Sequence, residues 1–332
     1  ALEARLGLNE AELKKVVLRH PQVLGLSVDD TMLPKLAALQ SRLQLNEAEL
    51  KKVVLRHPQV LGLSVDDTVL PKLAALRQRL CLNEAELKKM VLMHPAVLSL
   101  SIEANVLPSL AALQQRLNLS DAELKKVVLR LPVVLSYSTE ANVLPSLAAL
   151  QSRLGLSEAE LKRAVLTLPP VLGYSIEANV LPSLAALQSR LQLSEAELKK
   201  VVLRLPSVLG FSIDENVLPS LSALQSRLGL SEAELKKVVL RMPTVLGLSI
   251  ENLLPKIHWL QRETNLSDDE LRHKLVSNSV MLSYSLRDRL QPRAALCDEL
   301  GASRSLLWSY HGKSPPAFRE ACEKAARRSA AV

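Results

Sequence analysis

Aromatic residues are scarce: two Trp, four Tyr and two Phe in a chain of 332 residues. The core therefore has to be aliphatic, which is unlike an ordinary globular enzyme. The same scarcity counts against a single-strand binder that stacks successive bases on rings. Cysteines number three, Cys81, Cys297 and Cys322, and lie far apart. That count and spacing provide no disulfide framework and no zinc motif, so a reducing compartment is the default. With ten glycines, the chain has no glycine-rich phosphate loop, no nucleophile elbow and no paired-histidine helix. Neither catalysis, a bound metal nor a cofactor is expected. No apolar run approaches the roughly 18 residues that span a bilayer, so no membrane partner is expected either.

What the sequence does contain is a period. Pro21, Pro58, Pro95, Pro132, Pro169, Pro206 and Pro243 stand 37 residues apart, and Pro34, Pro71, Pro108, Pro145, Pro182 and Pro219 repeat at the same interval. Pro255 then arrives one residue early, because SIENLLP lacks a residue present in SIEANVLP. An eighth unit, LSDDELRHKLVSNSVMLSYSLRDRLQP, has Ser279 in place of the first proline. The chain opens inside an earlier unit, LEARLGL matching LQSRLGL. No cleavable targeting segment is visible, and this mid-repeat start reads as a mature or trimmed product. A fixed period of this length indicates stacked repeats.

Each unit reads as two helices. In the fourth, Ser120 and Glu123 make a capping box ahead of Leu124, Val127, Val128 and Leu131, an apolar stripe of helical spacing. Pro132 ends that helix, and VVLSYS forms a short turn. A second helix is expected from about Thr139 to Leu154, with Leu147, Leu150 and Leu154 on one face. Pro145 belongs in its first turn or at a kink. Such hairpins are too thin to bury their own apolar surface and must stack. The predicted fold is an all-α superhelical solenoid, an arc of about eight helical-hairpin repeats with a C-terminal cap. At about 8–10 Å per helix it spans about 70–80 Å, the length of about 20 base pairs.

The start LS-x-x-E-L, the helix-ending proline, VL-G/S-Y/L-S after it and LP-x-L-x-x-L in the second helix resemble the motif of the mitochondrial transcription termination factor family, mTERF. The resemblance covers residues 1–292, an array whose first unit is truncated, and residues 293–332 form a separate capping and basic segment. It implies an organellar protein, chloroplast or mitochondrial, that binds nucleic acid, often double-stranded DNA, and acts in transcription termination, pausing or other steps of gene expression. The copies here are nearly identical, which suits contacts that do not read a precise target.

Two ladders of cations are the candidate nucleic-acid-binding residues. With Leu13, Val16, Val17 and His20 facing inward, Lys15 and Arg19 fall opposite, and the pair recurs as Lys52/Arg56, Lys126/Arg130, Lys200/Arg204 and Lys237/Arg241. Like charges at this spacing repel, and a phosphate backbone would relieve them. A solvated face, with Glu12 as local partner of Lys15, is the plainer alternative. The second ladder is Arg42, Arg79, Arg116, Arg153, Arg190 and Arg227, near the end of the second helix, where a cation also suits the helix dipole. Glu263 interrupts it. Of the net charge of +8, residues 287–332 carry half, so the repeats can offer a basic groove only if their acids face elsewhere.

His20, His57 and His94 share a column with Leu131, Leu168, Leu205 and Met242, which makes them structural; neighbours in a column lie one helix spacing apart, too far to share a metal ion. Trp308, Tyr310 and Phe318 suit a terminal cap, while Arg304, Lys313, Arg319, Lys324, Arg327 and Arg328 are placed to meet phosphate. The expectation is a monomer that occupies duplex DNA in a concave basic groove and affects transcription. A protein-interaction scaffold and an RNA-binding or processing factor are the alternatives.

Overall fold

The computed structural model describes residues 2–330, which form helices and turns without strands. They divide into two compact units. One runs to Ser152 and includes Leu156–Ser175; the other comprises Arg153–Gly155 and the residues from Ile176 onward.

Every repeat opens with a ten-residue helix. In the first unit these are Glu10–Arg19, Glu47–Arg56, Glu84–Met93, Asp121–Arg130 and Glu158–Thr167. In the second they are Glu195–Arg204, Glu232–Arg241 and Asp268–Ser277. Each starts with a complete capping box. In the fourth repeat, for example, the Glu123 amide donates to Ser120 Oγ (3.2 Å) while the Ser120 amide donates to the Glu123 carboxylate (2.8 Å). Seven of them end where the residue before the proline leaves helical space, as Leu131 does at φ −137°, ψ 69°. A five-residue 3₁₀ turn follows, such as Pro132–Ser136. The eighth repeat makes the same turn, Ser279–Ser283, without the proline.

The helix expected from about Thr139 to Leu154 is a π turn, Thr139–Val143, joined to an α-helix, Leu144–Leu154. The Leu144 amide donates five residues back, to Thr139 O. Pro145 thus lies in the first α turn after a π turn. The proline is not what forces the π geometry. In the seventh repeat, one residue shorter, the stretch Ile250–Thr264 is α throughout with Pro255 inside it. A π turn is an α turn carrying one inserted residue, and that insertion is the residue the seventh repeat lacks.

The core is aliphatic, as the composition requires. Leu50, Val53, Leu76, Leu124, Val127 and Leu150 in the first unit are fully buried, as are Leu187, Leu198, Val201, Leu235 and Leu260 in the second. Burying one such side chain contributes about 1.5–3 kcal/mol, several times the worth of an exposed ion pair. The leucine and valine seam therefore holds neighbouring repeats together, and polar contacts across it set their register. In the second unit the C-terminal segment closes over its own cluster of Ala294, Cys297, Leu307, Phe318 and Cys322, with Tyr310 packed beside it.

Candidate nucleic-acid interface

The first helices of repeats one to seven each carry an exposed cation at the same position, where the eighth has His273. Lys15, Lys52 and Lys126 in the first unit and Lys200 and Lys237 in the second are all exposed. Lys89 and Arg163 occupy the same column and are also exposed; the 37-residue spacing alone would have found them. Their partners in the ladder, one turn later, are exposed too but act on the neighbouring repeat. Arg19 donates to Leu55 O (3.3 Å), Arg130 to Leu166 O (2.9 Å) and Thr167 O (3.1 Å), Arg204 to Leu240 O (3.1 Å), and Arg241 to Ser277 O (2.7 Å). Arg56 reaches Leu92 O at 3.4 Å. These are the last carbonyls of the next first helix, which lack amide partners and bear the negative end of its dipole.

The second ladder lies within the stacking seams. Arg116, in the third repeat, donates to Gln151 in the fourth and to the Glu158 carboxylate (2.6 Å) at the start of the fifth. Arg190 does the same with Glu232 (2.6 Å) and Gln225 (2.5 Å). Arg79 takes Asp121 (3.1 Å) and Gln114, Arg153 takes Glu195 and Gln188 (2.5 Å), and Arg227 takes Asp268 (3.3 Å) and Gln261. Their side chains are only 20–27% exposed. Arg42 is the exception, at 62% exposed. These arginines tie each repeat to the next, a role that a reading of single units could not reveal.

A third column escaped the sequence analysis. Lys51, Lys88, Lys125, Lys162 and Lys236 each reach back 39 residues to a capping-box glutamate, Glu12, Glu49, Glu86, Glu123 and Glu197 respectively, at 2.7 Å. They also donate to a loop carbonyl 44 residues back, Lys162 to Asn118 O at 2.7 Å for example. Glu12 therefore serves Lys51 and its own cap first, with Lys15 a weaker charge neighbour. The lysine hydrogen bond, ahead of the backbone bond from Ser120, holds the Glu123 carboxyl below its ordinary range. The Glu158 carboxyl is lowered in the same way by Gln151 and Arg116.

These links sort the charges. The glutamates and aspartates at the starts of the first helices are spent chiefly on capping and stacking, which leaves the Lys15-type column without a direct ion pair to them. The effect is clearest between the first helices of repeats four and five. The trough there is lined by Lys126, Arg130, Lys162 and Arg163 with Ala159, Leu166 and Thr167. No acid is in its lining, and among the described residues only Lys162 of the four cations is paired with a carboxylate, that of Glu123.

Overlapping matches to one family model, mTERF, cover residues 2–153, 43–188 and 152–309. The chain belongs to the mTERF family. It is an all-α solenoid of mTERF helical hairpins. No curated protein matches it in sequence. mTERF membership points to nucleic-acid-binding regulation in an organelle, and the family is generally non-enzymatic. No described helix is long and apolar enough to cross a membrane, and no cluster of metal-ligating side chains occurs among the described residues.

His20, His57 and His94 of this mTERF chain stand at the ends of the first helices, half-buried. His94 Nε2 lies 2.6 Å from Ser136 Oγ, and His57 Nε2 is buried without a partner. Burial pushes the pKa of both below the usual histidine range.

Among the C-terminal residues, Trp308 and Phe318 are buried and Tyr310 half-buried. Arg304 is engaged by Asp298 and Glu263, Arg319 lies 3.8 Å from Glu299, and Arg327 lies 4.0 Å from Glu323. Lys313, Lys324 and Arg328 are exposed. Cys297 and Cys322 lie side by side, their sulfurs 3.8 Å apart, and burial pushes the Cys297 thiol up to about 12. Nothing in the spacing of the cysteines announces that meeting.

Proposed function

We propose that this mTERF protein occupies double-stranded DNA along the basic face of its first helices and so terminates or pauses organellar transcription. The observation that carries the reading is the trough of Lys126, Arg130, Lys162 and Arg163, whose lining holds no acid, within a column that repeats its cation in every unit from Lys15 to Lys237. One cation per stacked helix suits the regular phosphates of a duplex. Contacts of this kind position a protein without reading bases, consistent with repeats that hardly vary. The eight first helices contain no aromatic residue, so this face offers single-stranded RNA no stacking platform. Of the two ladders, Lys15, Lys52, Lys126, Lys200 and Lys237 are the residues we assign to phosphate. Arg19, Arg56, Arg130, Arg204 and Arg241 contribute charge beside them.

Fluorescence anisotropy with a 22-base-pair duplex and the matching single-stranded RNA, across a salt series, tests this. The expected result is tighter duplex binding whose affinity falls steeply with salt. Absence of binding to either ligand at low salt would overturn the reading in favour of a protein scaffold. Preference for the single strand would favour RNA processing.

A further inference from the structure

One stacking seam in the first unit departs from the others. Gln40, Gln114, Gln151, Gln188, Gln225 and Gln261 each supply the amide oxygen that an arginine of the preceding repeat requires. The second repeat has Arg77 at this position. Arg77 donates to Leu82 O (3.2 Å) and pairs with Glu84, the acid that Arg42 would take by analogy. Arg42 has thus lost both of its counterparts' partners and faces a second guanidinium. Its side chain is 62% exposed, and its nearest acid, Asp66, lies 3.7 Å away. The helix that carries it, Leu33–Arg42, ends one residue sooner than Leu70–Leu80 or Leu107–Leu117. Between the two arginines lies a depression of about 580 Å3 over Leu43, Leu73 and Ala74, with Glu84 the one acid on its wall.

We propose that this depression is a binding site for a phosphoryl oxyanion, bridged by Arg42 and Arg77. Relative to the intact seams it carries one additional positive charge, lacks the glutamine oxygen and has its one acid taken by Arg77. A tetrahedral oxyanion supplies both deficits at once: its charge offsets the extra cation, and its several oxygens accept from two guanidinium groups in the fork geometry that arginine favours. A glutamine side chain in this position satisfies Arg42 internally and leaves nothing to bind, as the other seams show. The site is formed by two second helices, their loops and the start of the first helix Glu84–Met93, and its lining contains no residue of the Lys15 column, so it stands independently of the duplex reading. The phosphoryl group could belong to a free phosphate compound or to a nucleic-acid backbone.

Inorganic pyrophosphate is the probe, and Arg77→Gln is the decisive variant, because it is expected to improve folding while destroying the site. Thermal melting and calorimetric titration of the full chain, against sodium chloride of matched ionic strength, should show saturable stabilisation by pyrophosphate. Arg77→Gln should melt higher without anion, having rebuilt the Arg42–Gln–Glu84 link, and bind pyrophosphate at least tenfold more weakly. Arg42→Gln should also lose the response. A wild-type chain indifferent to pyrophosphate, or an Arg77→Gln chain that responds as the wild type does, would overturn the proposal. The 22-base-pair duplex separates the two sources. Weaker duplex binding by Arg77→Gln places a backbone phosphate in the site, whereas unchanged duplex binding with lost pyrophosphate binding assigns the site to a free phosphate compound.

Discussion

Glu263 and Arg304 form an inter-repeat ion pair with its charges exchanged. Elsewhere an arginine near the end of a second helix reaches an acid 41 or 42 residues later, as Arg227 reaches Asp268. Glu263 stands in the arginine column, and the residue 41 positions on is Arg304, which Asp298 also holds at 2.6 Å. The break that the sequence suggests at this point is the same link written in reverse, joining the last repeats to the cap. Glu263→Arg should therefore lower the melting temperature, and adding Arg304→Glu should recover part of the loss. Full recovery is not expected, because Asp298 would then face a second acid. An additive double variant would show that the pairing contributes nothing to the joint.

The trough between repeats four and five offers a counted prediction. Each phosphate neutralised contributes about −0.9 to the slope of log affinity against log salt. Lys126→Gln with Arg163→Gln should make the slope shallower by about 1.8 and leave melting nearly unchanged, since both side chains are exposed. Arg116→Gln should do the opposite, lowering the melting temperature with little effect on the slope, because Arg116 is occupied by Glu158 and Gln151.

Gln192 closes the fifth repeat's second helix at φ +49°, where the next repeat uses Gly229 at φ +60°. A side chain with a β-carbon is strained there by about 1–2 kcal/mol. Gln192→Gly should accordingly stabilise the chain by about 1 kcal/mol in urea unfolding, after the entropy that glycine adds to the unfolded chain. A loss of stability would mean that the Gln192 side chain makes a contact worth more than the strain.

Acid should loosen the first unit before it reaches the carboxylates. His57 and His94 have pKa values lowered by burial, so between those values and the ordinary value of roughly 6.5 the unfolded chain binds more protons. Stability from the neutral rings is complete above that ordinary value and is lost as pH falls through the folded ones. The carboxylates in the seams are lowered as well, and their contribution disappears only below roughly pH 4.3. Urea midpoints at pH 7.5 and 5.5 should differ in the wild type and converge in His57→Leu/His94→Leu, which copies Leu131. Equal midpoints in the wild type would remove the histidines from the account.

The repeat, its capping boxes and the ends of its first helices were legible because their signals are local. Ser120 and Glu123 sit three residues apart, and Pro132 acts on the residue before it. The seams were not legible, since Arg116, Gln151 and Glu158 are brought together only by stacking, across 35 and 42 residues. Their sameness from unit to unit made the arginines look like a surface row. Lys125 and Lys126 illustrate the limit. Neighbours on a helix are turned about 100° apart, so a wheel shows that Lys126 opposes the buried stripe but not that Lys125 meets Glu86. The π turn was visible only through its loss, in the early arrival of Pro255. Cys297 and Cys322 lie outside the period, where no internal comparison exists.

The fixed offsets of the seams bear on how such an array can change length. Because Arg116 and Lys162 find partners at set offsets, one or two repeats away, an interior block of 37 residues can be duplicated or excised in frame without leaving any arginine, glutamine or glutamate widowed. The array can thus grow or shrink by whole repeats through recombination between near-identical segments. Two places resist this exchange. Copying the second repeat would also copy Arg77 and set Arg79 against it, as Arg42 is now, and the last seam, with Glu263 facing Arg304, accepts only its own terminal cap.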